Sequence, residues 1–397
     1  MRIGLVVPHI FMHQAILPNV IFSPGQLAIS LCNQLTAQGH DVTLFSPGPV
    51  QVDCKNTTAD LTLFETELAQ RGDSYVDLLK KHPLTFISLA RQVQSEIIAR
   101  AYAAANRGEF DILHIYTNEE DIALPFAQFC NIPVVFTHHD PFNFSPKYKA
   151  VFPKYAQLPW ISMSYAQRKG MPANTNWLAN IYHGIDEKRL HANSEPSGEY
   201  VAFCGRIIEQ KGTHLAIAAV REYNKRTGKH LTLKIAGKHY SGTTKDTYWH
   251  EKILPQLGDD IEYIGFIKSD AEKQAFFGNA KALIIPSLFE EPFGMVMIEA
   301  LACGTPLVGL KNGAISEVII EGKNGALAKE VSTKGEKGTT LVDETRTAQN
   351  LAKALEKAIH LDRTACRRSF EAQFTLQQMA NAHATAYQKA IESPVAP

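Results

Sequence analysis

The chain runs twice through one pattern, in which short β-branched apolar runs alternate with longer stretches of helical periodicity. That alternation limits the fold more than any other feature. Two parallel strands cannot be joined by a tight hairpin, and a helix supplies the crossover they need. The first series places strands at 3–7, 41–45, 112–115 and 134–136. Helices are expected over 26–38, ended by Gly39, and over 84–105, the latter lying on the sheet as an outer helix. The second series places strands at 200–203, 231–236, 261–264, 282–285 and 307–309. Between the two, 191–198 (HANSEPSG) is polar, lacks periodicity and reads as a linker. The stretch 332–340 (STKGEKGTT) reads as a loop, and 345–391 is helical throughout with no strand after it. The expectation is an α/β protein with domains at 1–190 and 199–365, and a helical segment, 366–397, crossing back to the first domain.

Length and composition agree with two cores. At 397 residues the chain exceeds the size at which one core stops growing, and 45% hydrophobic residues supply material for two. The 40 basic and 40 acidic residues cancel, so no broad footprint for nucleic acid is visible. Within 1–185 there are 13 Lys/Arg against 14 Asp/Glu, which gives no net attraction to anionic lipid. The six cysteines are scattered without a C-x-x-C pair, as expected of small core residues in an intracellular protein. The opening MRIGLVVPHIFMHQ is broken by Pro8 and His9 and reads as a buried strand rather than a signal peptide. No run approaches the ~18 apolar residues of a membrane span. The expected location is cytoplasmic, with a peripheral place at the inner membrane face left open.

Three elements carry chemistry. The densest is 286–310, PSLFEEPFGMVMIEALACGTPLVGL. A strand ends at Pro286, a loop with Glu291 and Pro292 follows, and Gly294 opens a helix that Gly304 and Pro306 stop. The free N–H groups and positive dipole end of such a helix suit a diphosphate. Glu291 and Glu299 can accept hydrogen bonds from adjacent hydroxyls, which suits a ligand with a sugar at each end of a phosphate bridge. The second element is 203–212, FCGRIIEQKG, where Arg206 and Lys211 follow a strand at the place where α/β folds bind ligands. The third is PVVFTHHD, in which a strand delivers His138 and His139 to a loop. Metal ligation by His138, His139 and Asp140 together is disfavoured, because adjacent residues on an extended chain point apart.

At these residues the chain resembles glycosyltransferase family 4, the retaining group with the GT-B fold. E-P-F-G-x4-E (Glu291 to Glu299), continued by A-C-G-T-P, and G-R-x4-K-G (Gly205 to Gly212) resemble the family's signatures. IYHGID resembles an asparagine-glycine-x-aspartate segment, with His183 in place of the asparagine. The resemblance implies two Rossmann-like domains facing across a cleft, the first taking the acceptor, the second the donor. It implies that Arg206 and Lys211 grip the donor diphosphate, with Gly205 beside them, and that Glu299 holds the ribose. Glu291 and the N–H groups of Phe293, Gly294, Met295 and Val296 would hold the transferred sugar and phosphates. His139 would lie near the sugar's C6 hydroxyl, and Phe266 in the base pocket. Two departures stand out: Gly25 alone marks a loop where adjacent glycines are usual, and Asn312-Gly313 stands for a Gly-Gly pair. The implied activity is metal-independent hexosyl transfer, without cofactor, from a UDP-sugar to an acceptor saccharide, small molecule or lipid-linked sugar. Other readings are a UDP-sugar epimerase, a glucan synthase, and a nucleotide-sugar-binding protein without catalysis.

Overall fold

The computed structural model describes residues 1–116, 120–239, 246–334 and 340–392. The chain divides into two units, one of Met1–His183 with the segment from Leu376 onward, the other of Gly184–Thr375. Each is built on one fully parallel sheet, as the alternating pattern requires.

The first sheet contains β1 (Arg2–Val6), β2 (Asp41–Ser46), β3 (Lys55–Thr58), β4 (Ile112–Tyr116), β5 (Val134–Thr137), β6 (Trp160–Ser162) and β7 (Trp177–Asn180). Its order is β3-β2-β1-β4-β5-β6-β7. The central strands are covered on both faces, so they read as continuous apolar runs; Ile3, Leu5 and Val6 are wholly buried. The helix Pro83–Asn106 turns Phe86, Ala90, Val93, Ile97 and Ala101 inward at helical spacing, into the core that holds Val6, Leu113 and Ile115. It is an outer helix on the sheet. The helix Leu376–Glu392 returns to this unit and lies along the helix Ser23–Ala37. Gln34 Nε2 donates to Gln377 Oε1 at 2.7 Å and Gln38 Nε2 to Asn381 Oδ1 at 2.9 Å.

The second sheet contains β8 (Tyr200–Cys204), β9 (Thr232–Ala236), β10 (Ile261–Gly265), β11 (Ala282–Ile285), β12 (Leu307–Leu310) and β13 (Gly325–Ala328). Its order is β10-β9-β8-β11-β12-β13. In both sheets the chain winds outward from the middle, turns back, and winds outward the other way. The reversal falls between β1 and β4 in the first and between β8 and β11 in the second. In folds of this kind crevices open at the carboxyl ends of such strand pairs.

The structure departs from the pattern in several places. Four strands lack a sequence signal: β3 is the polar edge KNTT, β6 and β7 are short, and β13 is GALA. The stretch 191–198 is no free linker. Asn193 N donates to Cys303 O at 3.0 Å and Gly198 N to Asn279 O at 3.2 Å, so it belongs to the second unit and the division falls before Gly184. The helical tail is three helices, Glu344–Ala358, Arg363–Gln373 and Leu376–Glu392. Buried Arg363 ties the middle one to the second unit, donating to Ala280 O (2.9 Å), Gly278 O (2.8 Å) and Thr305 Oγ1 (2.9 Å). The crossing back therefore begins at Leu376 rather than at 366. The expected loop 332–340 starts and ends in an antiparallel pair, β14 (Ser332–Lys334) with β15 (Thr340–Val342); 335–339 lie outside the described residues.

One glycine fixes how the β8 turn meets the β11 turn. Gly212 has φ +69°, and a Cβ there would lie 2.1 Å from Pro286 O. Gly39, with φ +84°, has open space around it. Gly212→Ala is expected to cost about 3 kcal/mol or more in denaturant unfolding, against about 1 kcal/mol for Gly39→Ala. Equal losses would show that the close approach to Pro286 is not rigid.

Candidate functional site

The second unit gathers its functional side chains at the carboxyl edge of its sheet. Backbone crowding prepares the place. Gly205 N donates to Ala236 O at 3.0 Å, and Gly237 N to Gly265 O at 2.8 Å, so the turns after β8, β9 and β10 lie side by side. Gly237 has φ +151°, and any Cβ would stand 1.8 Å from Gly205 O. Side chains are thereby excluded from the centre of the edge. Arg206 projects from the first of these turns, exposed and with no ion-pair partner among the described residues. Phe266 follows β10, 39% exposed, with Lys238 Nζ 4.3 Å from its ring centroid, a cation–π contact.

The turns after β8 and β11 are hydrogen-bonded together. Leu288 N donates to Gln210 O at 2.9 Å, across the Gly212–Pro286 approach. This brings Lys211 Nζ into a short ion pair with Glu291 Oε1. Ser287 Oγ donates to the same oxygen at 2.8 Å. Glu291 is buried and its main chain is clamped: Ala314 N donates to Glu291 O at 2.8 Å, and a Cβ on Gly313 would lie 2.4 Å from Glu291 N. One glycine is enough for that clamp, because Asn312 contributes its side chain instead, with Nδ2 donating to Ser287 O at 3.2 Å.

Gly294, at φ +97°, turns the chain into the helix Met295–Ala302. No side chain caps that helix and its first turn holds no acidic residue. The N–H groups of Gly294, Met295 and Val296 are thus left without intrahelical acceptors, in half-buried positions beside Glu291 in the chain. Phe293 just before them is buried, its ring 6.1 Å from that of Phe374. Within the helix, Glu299 Oε1 accepts from Lys273 Nζ at 2.5 Å. Burial, with the Glu299 charge second, pushes the neighbouring Cys204 thiol up to about 12, so it stays neutral. Ser287, Lys273 and Lys238 escaped the sequence reading. Ser287 sits four residues before Glu291 at a strand end and had a positional signal. Lys273 had none, since it lies in an ordinary capped helix, Asp270–Gly278.

The first unit holds the remaining candidates, His139 and Gly25. Gly25 is in the first turn of the helix Ser23–Ala37, not in a loop; its N–H donates to Phe22 O at 3.2 Å. A Cβ there would meet Phe22 Cδ1 at 2.7 Å and Met12 Sδ at 2.8 Å, so packing alone demands glycine. After β5 the two histidines point apart, as the extended backbone dictates. His138 enters an aromatic cluster with Phe142, Tyr148 and Phe152 at 4.6 to 5.1 Å. His139 faces Tyr116 (4.5 Å) and His183 (5.3 Å). Buried Gln167 holds the loop by donating Nε2 to the carbonyls of His138 and Asp140. Further in, His114 meets Tyr387 Oη at 2.7 Å and Thr137 Oγ1 at 2.8 Å. Among the described residues no group of three or more His, Cys, Asp or Glu side chains is placed to hold a metal ion.

Burial keeps these imidazoles neutral. It lowers His114 and His139 well below the usual histidine range, His183 to about 3 and His383 to about 4. A histidine whose folded pKa is depressed takes up its proton more readily when unfolded, so its stabilisation is full above about pH 6.5 and lost as pH falls below that value. Unfolding free energy is expected to be level from pH 8 to 7 and to fall between pH 6.5 and 5. Each histidine contributes a slope of up to about 1.4 kcal/mol per pH unit. A level profile down to pH 5 would contradict the burial of the cluster.

Comparison with known proteins covers both units. A model described as "Glycosyl transferases group 1" matches 185–373, and one described as "Glycosyltransferase Family 4" matches 25–194. The glycogen synthase of Mycobacterium tuberculosis is 31% identical over 187 residues, 46% of this chain and 44% of the relative. The chain thus matches less than half the length of that relative. Phosphatidyl-myo-inositol mannosyltransferase of Propionibacterium freudenreichii is 22% identical over 339 residues, 81% of this chain and 80% of the relative. Among solved structures, sucrose-phosphate synthase from Thermosynechococcus elongatus superposes with TM-score 0.68 at 16% identity, covering 99% of both chains. Anabaena HepE, solved with UDP and glucose, gives TM-score 0.64 at 18% identity over 98% of this chain and 100% of its own. At these identities the two structures speak for the fold alone.

Proposed function

The chain belongs to glycosyltransferase family 4, and on that premise we propose that it transfers a hexosyl group from a UDP-sugar to an acceptor, with retention and without a metal ion. The observation that carries this reading is the convergence at the β8–β11 switch point. Arg206, Lys211, Glu291 and the uncapped start of the helix Met295–Ala302 lie on turns that crowded glycines hold together. Anabaena HepE, of the same fold, has been solved with UDP and with UDP-glucose. UDP is therefore the nucleotide to test first.

In this reading the sugar C1–O bond breaks and its electron pair passes to the diphosphate. Arg206, Lys211 and the N–H groups of Gly294, Met295 and Val296 stabilise the charge that builds there. Lys211 is partly buried and already fixed by Glu291, so little reorganisation accompanies the reaction. The acceptor oxygen attacks C1 on the face the diphosphate leaves, and the departing phosphate takes the acceptor's proton. No protein nucleophile is needed. Glu291 uses its remaining acceptor capacity on a sugar hydroxyl, and Glu299 takes the ribose. Phe266 and Lys238 flank the base.

A screen of UDP- and GDP-sugars by released nucleotide, with product analysis, tests the reading. Free UDP with a retained glycoside is expected. A new epimer, a polymer or binding without turnover would overturn it. Lys211→Ala and Arg206→Ala are each expected to lower kcat about 10²- to 10³-fold. Wild-type rates in both would remove the phosphate assignment. Chelation by EDTA is expected to leave the rate unchanged; a loss restored by Mg²⁺ or Mn²⁺ would refute metal independence.

A further inference from the structure

The side chain of Glu299 is 12% exposed, and its two oxygens are used unequally. Oε1 accepts from Lys273 Nζ at 2.5 Å, while Oε2 has no hydrogen bond or ion pair among the described residues. A carboxylate accepts at about four sites, so both oxygens keep room for a further donor. The terminal torsion of a glutamate is broad and two-fold, and the helix backbone does not set the plane in which its oxygens lie. A fixed contact at one oxygen does.

Lys273 can set that plane because its own helix is pinned. The helix Asp270–Gly278 opens with a capping box, in which Glu272 N donates to Ser269 Oγ at 3.2 Å and Ser269 N to Glu272 Oε2 at 2.8 Å. Asp270, one turn before Lys273, accepts both arms of the Arg189 fork, Nε at 2.8 Å and Nη2 at 2.6 Å. Gln274 bonds the backbone of His191 in both directions, accepting from its N at 2.7 Å and donating to its O at 2.9 Å. The pair of Lys273 and Glu299 stands near the end of β8. After burial, the leading cause, the charges of Glu299 and Lys273 act in opposite senses on the thiol of Cys204, the last residue of that strand. All of these residues belong to the second unit, so the arrangement draws on that unit alone.

We propose that Lys273 is a positioning residue for the donor ribose: by holding Oε1 it fixes the carboxylate plane of Glu299, so that the two oxygens meet the two ribose hydroxyls together. The proposal rests on the assignment of Glu299 to the ribose. Its consequence is selectivity for the ribose diol, carried by a lysine that touches no part of the nucleotide.

The test measures, by calorimetry, the affinities of UDP and of the diphosphate of dideoxyuridine, which lacks both hydroxyls and keeps the base and phosphates. Wild type is expected to bind UDP at least about tenfold more tightly, since hydrogen bonds to a charged acceptor are lost in the analogue. Glu299→Ala should bring the two affinities within about threefold of each other. Lys273→Met and Lys273→Gln should each lower the ratio roughly three- to tenfold while the analogue binds within about twofold of its wild-type affinity, which also reports that each variant is folded. Lys273→Arg should keep the ratio within about twofold of wild type. In Glu299→Ala, the further change Lys273→Met should leave the ratio unaltered within about twofold, because it acts through a carboxylate already removed. A wild-type ratio in both the methionine and glutamine variants would overturn the proposal. So would equal losses for the two nucleotides, which would assign Lys273 to the phosphates or to folding. Wild type that binds both nucleotides alike would refute the ribose assignment of Glu299, and wild type that binds neither would refute the UDP-sugar reading; the proposal falls with either.

Discussion

The donor-side arrangement depends on one topological constraint. A parallel sheet that winds outward from β8 and then outward again from β11 leaves those two neighbours with connections leaving in opposite directions. Nothing in the chain's own path fills the space at their carboxyl ends. The second unit builds on that vacancy with backbone. Gly237 packs on Gly205, Gly212 on Pro286, and Gly313 on Glu291, each at a distance no Cβ would tolerate. Four turns from distant parts of the sequence, those after β8, β9, β11 and β12, are thereby drawn together, and only then do Arg206, Lys211 and Glu291 share a locality.

The charges at this edge follow a consistent logic. Lys211 is paired with Glu291 and Lys273 with Glu299, each in a setting where at least one partner is largely buried. Such pairs contribute little to stability once desolvation is counted, but they hold two long side chains in fixed positions. Arg206 is exposed and has no ion-pair partner among the described residues. The edge thus offers an anion one exposed planar fork, one pre-positioned ammonium and a set of backbone N–H groups. These three kinds of donor cost little to reorganise and differ in reach.

Much of this was legible in the sequence, and what was missed has physical causes. Buried central strands announce themselves, because a strand covered on both faces must be apolar along its length. Edge strands such as KNTT at β3 and GALA at β13 need not be, and they carried no signal. The stretch 191–198 looked like a linker because its side chains are polar, yet its backbone is bonded to Cys303 and Asn279. Composition does not report main-chain pairing. At the candidate site, Arg206, Lys211, Glu291 and Glu299 were singled out because a motif orders them along the chain. Lys273 was not singled out, since its partner Glu299 lies in another helix. Gly25 was read as a loop glycine, whereas Phe22 and Met12 leave no room for a side chain at the first turn of its helix.

The returning helix Leu376–Glu392 illustrates how a remote segment can set the chemistry of a site. It brings His383 and Tyr387 against the core of the first unit, where Tyr387 bonds His114 and His383 lies 5.7 Å from His114 and 6.3 Å from Tyr116. Tyr116 in turn packs on His139. Burial is the leading cause of the depressed pKa of every histidine in this group, and the helix is part of what buries them. A neutral imidazole can donate from one nitrogen and accept at the other, whereas an imidazolium could only donate. By this argument the last helix helps to hold the first unit's histidines in the neutral state.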